Sequence, residues 1–203
     1  MSNVSRFPRQ PGFFARWQEV VRLLDAGNRA AAFQKLETLA DDGYVEAFAE
    51  MGYLFEREGN EVPADLQLSY QWYSRAVDEA DDSDGRIGIA RLILNGFTSA
   101  GSIKDAVCLL EIAIAQGNPV AKITLGAVLH KGDVVPQDLL TAKRYYDAAI
   151  QNGYVAPYHY LAQLLAEQGH LFEALSYKIK GHRLAKKIAA NDPDDFRLWN
   201  ISK

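Results

Sequence analysis

The sequence has little of the chemistry that marks disulfide-bonded, membrane-spanning or exported proteins. Cys108 is the only cysteine among 203 residues, which excludes an intrachain disulfide and a zinc site built from several cysteines. No apolar run approaches the roughly 20 residues that a membrane-spanning helix needs. The first 14 residues also lack the apolar core of a secretory signal peptide. These absences predict a cytoplasmic protein, unless a dedicated secretion system exports it.

Motifs of the common enzyme classes are also missing. The four histidines, which show no HExxH motif and no i, i+4 pairing, are His130, His159, His170 and His182. There is no glycine-rich phosphate loop and no Gly-x-Ser-x-Gly elbow. The acidic run from Asp78 to Gly85 lacks side chains that an EF-hand calcium loop needs as ligands. We therefore expect no catalytic activity, no metal site and no cofactor.

The formal net charge of −4 disfavours a nucleic-acid-binding protein. The charge is unevenly distributed, because thirteen acidic and two basic residues lie between Asp41 and Asp84. Between Lys178 and Lys187, by contrast, there are five basic residues and no acidic one. This asymmetry could steer a charged protein partner, although solvated helix faces also produce such clusters. We expect a protein partner and neither a nucleic acid nor a membrane.

Residues 119–154 form the clearest structural unit of the chain. An apolar stripe at helical spacing predicts a first helix and consists of Ala121, Leu125, Val128 and Leu129. Gly132 and Pro136 then favour a turn and an extended segment, and Asp138 is placed to cap a second helix. The predicted buried stripe of that second helix is Leu139, Ala142, Tyr145, Tyr146 and Ala149.

The spacing of this helical hairpin recurs along the chain. Residues 45–80 match it closely, with one extra loop residue, and residues 84–117 match at an offset of 36 residues but lack the proline and aspartate of the loop. We predict five hairpins at about 13–44, 45–82, 83–118, 119–154 and 155–190, a flexible N-terminus at 1–12 and a C-terminal cap at 191–203. Since a stack of repeats needs only neighbour contacts, residues 13–203 are expected to form one repeat domain.

The pattern from Ala121 to Gly153 resembles the Sel1-like repeat, a relative of the tetratricopeptide repeat. It carries a Leu-Gly pair in the first helix, an aspartate at the start of the second, a Tyr-Tyr pair and a final glycine. Residues 51–80 give a second good copy and residues 89–117 a degenerate one. The resemblance implies an all-α fold, a right-handed α-solenoid. It also implies an adaptor that assembles complexes, binds effectors or, in bacteria, regulates secretion or neutralises toxins.

In stacked hairpins of this kind the first helices line the concave surface. The residues beside their buried stripes are therefore candidates for binding a peptide or a domain edge. They are Gln18, Arg22, Tyr53, Glu56, Arg91, Asn95, His130, Lys131, His159 and Gln163.

Three functional hypotheses follow. The first is a non-catalytic protein-interaction scaffold, a bacterial adaptor or an immunity or chaperone-type protein that holds one specific protein and is itself a monomer or weak homo-oligomer. The second is a structural protein that self-associates through exposed apolar residues at its ends. The third is a metal-dependent enzyme that uses His130 and His159.

Overall fold

The computed structural model describes residues 13–56 and 64–191. Ten α-helices occupy most of these ranges: α1 (Phe13–Asp25), α2 (Arg29–Asp41), α3 (Glu46–Glu56), α4 (Leu66–Ala80), α5 (Ser83–Leu94), α6 (Ile103–Ala115), α7 (Pro119–Lys131), α8 (Leu139–Gln151), α9 (Ala156–Glu167) and α10 (Leu171–Asn191). The predicted flexible N-terminus at 1–12, the loop at 57–63 and the predicted cap after Asn191 lie outside the described residues.

Local sequence signals start several of these helices. Asp65 and Asp138 occupy equivalent positions in two hairpins, and each carboxylate accepts a hydrogen bond from the backbone N–H three residues later, at 2.9 and 3.0 Å. The predicted capping role of Asp138 is therefore confirmed. The third hairpin lacks this aspartate and uses a reciprocal capping box of Ser102 and Asp105 instead.

The helices form two compact units, the N-terminal unit (residues 1–118) and the C-terminal unit (residues 119–203). In the N-terminal unit, α1–α2, α3–α4 and α5–α6 pack as hairpins, and the first helices α3 and α5 also contact each other. In the C-terminal unit, α7–α8 and α9–α10 pack as hairpins, and α7 contacts α9. The predicted all-α solenoid class of fold is confirmed by this hairpin stacking. That residues 13–203 form one domain stays a prediction.

A buried tyrosine lies between neighbouring first helices in the N-terminal unit. Tyr73 of α4 is only 2% exposed. A methyl group added at Gly52 of α3 would lie 2.5 Å from its Cδ1 atom, and one added at Gly88 of α5 would lie 2.4 Å from its Cε1 atom. Both distances are shorter than a van der Waals contact, so the ring fits only because these two positions have no side chain.

The C-terminal unit repeats this arrangement with one difference. Tyr146 of α8 is fully buried, and a methyl group added at Gly126 of α7 would lie 2.9 Å from its Cε1 atom. On its other side it stacks on Tyr160 of α9, with ring centroids 5.5 Å apart and an interplanar angle of 15°. Tyr145, predicted in the same buried stripe, is only partly buried, because successive helical residues point in directions about 100° apart.

Replacing Gly88 with alanine tests this packing. In a helix interior the change ordinarily raises stability by about 0.5–1 kcal/mol, because glycine loses more backbone entropy on folding. Here the added methyl group overlaps the ring of Tyr73, so we expect a net loss of about 1–3 kcal/mol in the free energy of unfolding. Urea unfolding measures the difference, and a gain in stability would contradict the close contact.

Candidate functional site

The predicted site residues lie on the first helices of the hairpins or directly after them. The exposed ones are Gln18, Arg22, Tyr53, Asn95, Lys131, His159 and Gln163. Glu56 and Arg91 are partly buried, and His130 is buried. The structure gathers five of these residues into two clusters, one in each unit. Lys131 lines the cleft beside the second cluster, and the residues that belong to neither cluster nor cleft are Gln18, Arg22, Asn95 and His159.

The first cluster, the Arg91 cluster, consists of Tyr53, Glu56, Tyr73 and Arg91 in the N-terminal unit. Nε of Arg91 donates to Oε1 of Glu56 at 2.6 Å, and Nη2 forms a second ion-paired contact with the same carboxylate. Nη2 also donates to the hydroxyl of Tyr73 at 2.8 Å, and that hydroxyl donates to Oε2 of Glu56 at 2.8 Å. The guanidinium carbon lies 5.6 Å from the ring centroid of Tyr53. Helices α3, α4 and α5 are therefore linked at one point.

The electrostatics of this cluster favour a permanent ion pair beside a neutral phenol. Burial opposes the charge of Arg91, but the hydrogen bond to Glu56 and the nearby Tyr73 hold the arginine pKa above its ordinary value. Burial raises the pKa of Tyr73 well above its usual range, although the charge of Arg91 lowers it in part. The side chain of Arg91 is 34% exposed, against 11% for Glu56, so solvent reaches more of the arginine than of the glutamate.

The second cluster, the His130 cluster, consists of His130, Tyr146, Gln163 and Glu167 in the C-terminal unit. Nε2 of His130 lies 2.8 Å from Oε2 of Glu167, and its Nδ1 lies 3.4 Å from the hydroxyl of Tyr146. The tautomer with its proton on Nε2 satisfies both contacts, because Nε2–H then donates to the carboxylate and Nδ1 accepts from the hydroxyl. Nε2 of Gln163 donates to Oε1 of Glu167 at 2.9 Å.

The His130 cluster borders a cleft of about 160 Å³, whose other lining residues are Ala127, Lys131, Gln137 and Tyr160. Nε2 of Gln137 donates to the backbone carbonyl oxygen of His130 at 2.8 Å, which holds the segment before α8 against the end of α7. His130 is 6% exposed and Glu167 is 52% exposed. The histidine therefore lies at the base of the cleft, and the carboxylate is reachable from solvent.

Hydrogen bonding fixes the charge of this cleft. The hydrogen bond from His130 and, next, the one from Gln163 lower the pKa of Glu167 below its ordinary value, so its carboxylate is ionised at neutral pH. Burial raises the pKa of Tyr146 above that of a free phenol, and its hydroxyl stays neutral. The cleft thus presents the anionic carboxylate of Glu167 near the neutral phenol of Tyr146.

The two clusters occupy equivalent positions of the repeat. Tyr73 and Tyr146 each lie eight residues after the capping aspartate of their helix. Glu56 and His130 each lie four residues after the glycine that contacts the buried tyrosine. In both units the tyrosine hydroxyl therefore meets a polar residue on the preceding helix, although the chemical identity of that residue changes.

Sequence reasoning missed Glu167, Tyr160 and the polar role of two buried tyrosines, Tyr73 and Tyr146. The buried stripe predicted for the second helix gives Tyr146 a packing role alone, although a buried phenol usually finds a hydrogen-bond partner. Glu167 lies four residues after Gln163 and hence on the same face of α9. A cleft built from three helices has no comparable signal in the spacing of residues.

The acidic segment between Asp41 and Asp84 is partly engaged in internal contacts. Arg86, which is 8% exposed, pairs with the carboxylate of Asp81 and donates from Nη1 to its carbonyl oxygen at 2.7 Å. Nε2 of Gln116 donates to Oδ2 of Asp81 at 3.0 Å. These contacts connect α4, α5 and α6, so part of the negative charge serves the packing of the N-terminal unit.

Other kinds of site find little support in the described ranges. Within residues 13–56 and 64–191, no three His, Cys, Asp or Glu side chains are grouped so as to hold a metal ion. The helices in those ranges are too short or too polar to cross a membrane. A wider depression of about 500 Å³ is lined by Tyr70, Gln71, Ser74, Arg75, Val77, Asp78 and Ile89. Neither histidine nor cysteine is among those lining residues.

No protein-family model matches the chain, and no curated protein matches it. Solved structures do match. The Sel1 repeat protein from Oxalobacter formigenes is 19% identical, with 89% of this chain and 82% of that chain covered and a TM-score of 0.61. The immunity protein Pa5087 from Pseudomonas aeruginosa is also 19% identical, with 91% and 70% covered and a TM-score of 0.67.

A third structure extends this similarity. The protective antigen c5321 of uropathogenic Escherichia coli strains, which displays an SLR fold, is 19% identical, with 83% of this chain and 35% of that chain covered and a TM-score of 0.57. The chain has the Sel1-like repeat fold. The resemblance seen in residues 121–153 is thereby confirmed for the fold, which is all that similarity at this level of identity shows.

The buried phenols predict how stability depends on alkaline pH. Since burial raises the pKa of Tyr73 and of Tyr146, the folded chain keeps these protons at pH values where the unfolded chain loses them. Their contribution is complete below about pH 10, the pKa of a free phenol, and is lost as pH rises through the folded-state values. The free energy of unfolding, measured with urea across this pH range, should fall more steeply with pH for the wild type than for the Tyr73→Phe, Tyr146→Phe double variant. Equal slopes would contradict the burial of these hydroxyls.

Proposed function

We propose that the chain is a non-catalytic scaffold that binds one specific protein partner through residues on the first helices of each unit. The observation that carries this proposal is the pair of polar clusters at equivalent repeat positions, each anchored on a buried tyrosine. Exposed residues such as Tyr53, Lys131 and Gln163 adjoin these anchored groups. Rigid aromatic groups beside charged and amide side chains are typical of the energetic centres of protein interfaces.

The predicted site residues take two roles in this proposal. The exposed ones contact the partner and are Gln18, Arg22, Tyr53, Asn95, Lys131, His159 and Gln163. The remaining three, Glu56, Arg91 and His130, hold the surface in a fixed geometry through their internal hydrogen bonds. Preorganised groups of this kind lose less side-chain entropy when a partner binds.

The dimensions of the cleft favour binding over catalysis. Its volume of about 160 Å³ is below the range of about 300–1,000 Å³ that is usual for small-molecule sites. Both ring nitrogens of His130 already have partners in Glu167 and Tyr146. His159 is exposed on α9 and contacts the ring of Tyr160, with ring centroids 6.1 Å apart. This arrangement offers no support for a metal site shared by the two histidines.

The biological setting that we propose is the bacterial cytoplasm, with an adaptor, chaperone-type or immunity role. The fold similarity to Pa5087, described as an immunity protein, supports the immunity role, and the bacterial sources of Pa5087, c5321 and the Oxalobacter protein support a bacterial setting. An immunity or chaperone role would require tight binding of one protein, which suits a rigid repeat surface.

Self-association is a second candidate that one observation favours. On α10, the side chains of Phe172, Leu175 and Ile179 share one helix face and are 92%, 56% and 43% exposed. Exposed apolar groups at this spacing can pack against another helix. A scaffold that assembles with itself would use this face.

The experiment that tests the proposal is affinity capture from the native host, followed by titration of the purified partner. Arg22→Glu and Tyr53→Ala are expected to weaken binding by about tenfold or more each, because charge reversal and loss of an aromatic contact both act on the proposed surface. Lys104→Glu, which makes the same charge change on the exposed face of the second helix α6, should leave binding unchanged.

Two results would oppose this function. Unchanged affinity of both first-helix variants would remove the proposed surface. A molar mass of the free chain that rises with concentration in light scattering, together with failure to capture a partner, would favour self-association instead.

A further inference from the structure

The Arg91 cluster shows how this repeat accommodates a guanidinium group. The carboxylate of Glu56 and the hydroxyl of Tyr73 accept hydrogen bonds from Arg91, and the ring of Tyr53 lies beside the guanidinium carbon. A carboxylate, a phenol oxygen and an aromatic face together match the planar, donor-rich and weakly hydrated arginine side chain better than the point charge of a lysine.

The equivalent position in the C-terminal unit is held by a shorter, uncharged residue. Gln163 lies 72 residues after Arg91, which is twice the 36-residue period of the repeat, and each residue follows an alanine on a first helix. The amide of Gln163 reaches Glu167 on its own helix. Where the N-terminal unit has an arginine side chain, the C-terminal unit has the open cleft of about 160 Å³.

The groups around this cleft are mostly acceptors and aromatic faces. The ionised carboxylate of Glu167 accepts one hydrogen bond on each oxygen, from His130 and from Gln163, and a carboxylate has room for about four. The hydroxyl of Tyr146 is buried and pairs with His130, so the half-exposed carboxylate of Glu167 is the acceptor that an entering group can reach. The ring of Tyr160, stacked on Tyr146, supplies the aromatic wall.

Lys131 also lines the cleft and would favour an anion instead. It is the last residue of α7 and is exposed, so its long side chain can extend into solvent. Glu167 is held in place by two hydrogen bonds and cannot withdraw without breaking them. Glu167 would therefore repel an entering carboxylate. It would accept hydrogen bonds from an entering cation, and Lys131 could move aside into solvent.

We infer that this cleft receives one arginine side chain of the protein partner, with the guanidinium donating to the carboxylate of Glu167 beside the ring of Tyr160. The inference rests on the proposed function, since it names the chemical group by which the partner is recognised. The cleft is below the usual size of a small-molecule site, which suits a single side chain. In this arrangement the protein partner supplies to the C-terminal unit the guanidinium group that Arg91 supplies in the N-terminal unit.

The test uses N-acetyl-arginine amide as the probe and NMR titration of the full chain as the measurement. We expect saturable shifts at Tyr160, Gln163 and Glu167. N-acetyl-citrulline amide, which has nearly the same shape and no charge, should bind at least about tenfold more weakly, because the charge-assisted hydrogen bonds to the carboxylate are lost. N-acetyl-lysine amide should also bind more weakly than the arginine probe.

Two variants locate the binding in the cleft. Glu167→Gln keeps the shape and removes the charge, and should weaken arginine binding by about tenfold. Gln163→Arg recreates the side chain of the N-terminal unit and should fill the cleft, so that the probe no longer binds. Glu173→Gln, an equal charge change on the exposed surface of α10, is the matched control and should bind the probe as the wild type does.

The outcomes separate this inference from the proposed function. Absence of arginine-dependent shifts at the cleft, equal binding of the citrulline probe, or wild-type binding by Gln163→Arg would overturn it. If the captured partner binds Glu167→Gln and Gln163→Arg as tightly as the wild type, the scaffold function stands and the arginine cleft is wrong. If the probe binds as described but no protein partner is captured, the cleft stands and the scaffold function fails.

Discussion

A buried tyrosine between two first helices is the contact on which each unit depends. The ring of Tyr73 occupies space left by glycines on α3 and α5, and the ring of Tyr146 lies between a glycine of α7 and the ring of Tyr160. Because these rings have almost no free volume, they fix how closely successive hairpins approach. The same side chains end in a hydroxyl, so one residue sets both the spacing of the helices and the position of polar groups at their edge.

This dual role explains how one repeat pattern can present different polar side chains to a binding partner. The tyrosine hydroxyl can donate or accept, so it can pair with a glutamate in one unit and a histidine in the next. Exchanging the residue four positions after the glycine changes the charge presented at the edge of the helix without changing the packing below it. Binding specificity in this fold would therefore change with the residues at the positions of Glu56 and His130, while the buried tyrosine and the glycine that it contacts maintain the packing.

The periodic pattern was sufficient to predict the fold. Helical spacing and Asp138 at the helix start are local signals, and the structure places helices and this cap where they indicate. The pattern overestimated burial at Tyr145, because apolar periodicity describes a stripe that is wider than the narrow space between two first helices. Local spacing therefore predicts where the helices lie, but it does not tell which of two neighbouring residues, such as Tyr145 and Tyr146, is buried.

The candidate site could be predicted only in part, for a physical reason. Facing residues on first helices can be listed from spacing, and Glu56 and Arg91 do meet across α3 and α5. Whether such residues point outward or bind each other depends on side-chain geometry between helices. The pairing of His130 with Glu167 likewise joins residues 37 positions apart on different helices, a relation that no local pattern contains.

In each unit the buried tyrosine hydroxyl links the polar edge of the first helices to the core. A double-mutant cycle on the free energy of unfolding, with Tyr73→Phe, Glu56→Gln and the combined variant, tests it most directly. The hydroxyl of Tyr73 lies 2.8 Å from Oε2 of Glu56. We therefore expect a coupling energy of about 1–2 kcal/mol between the two substitutions. Additive effects, with no coupling, would contradict it.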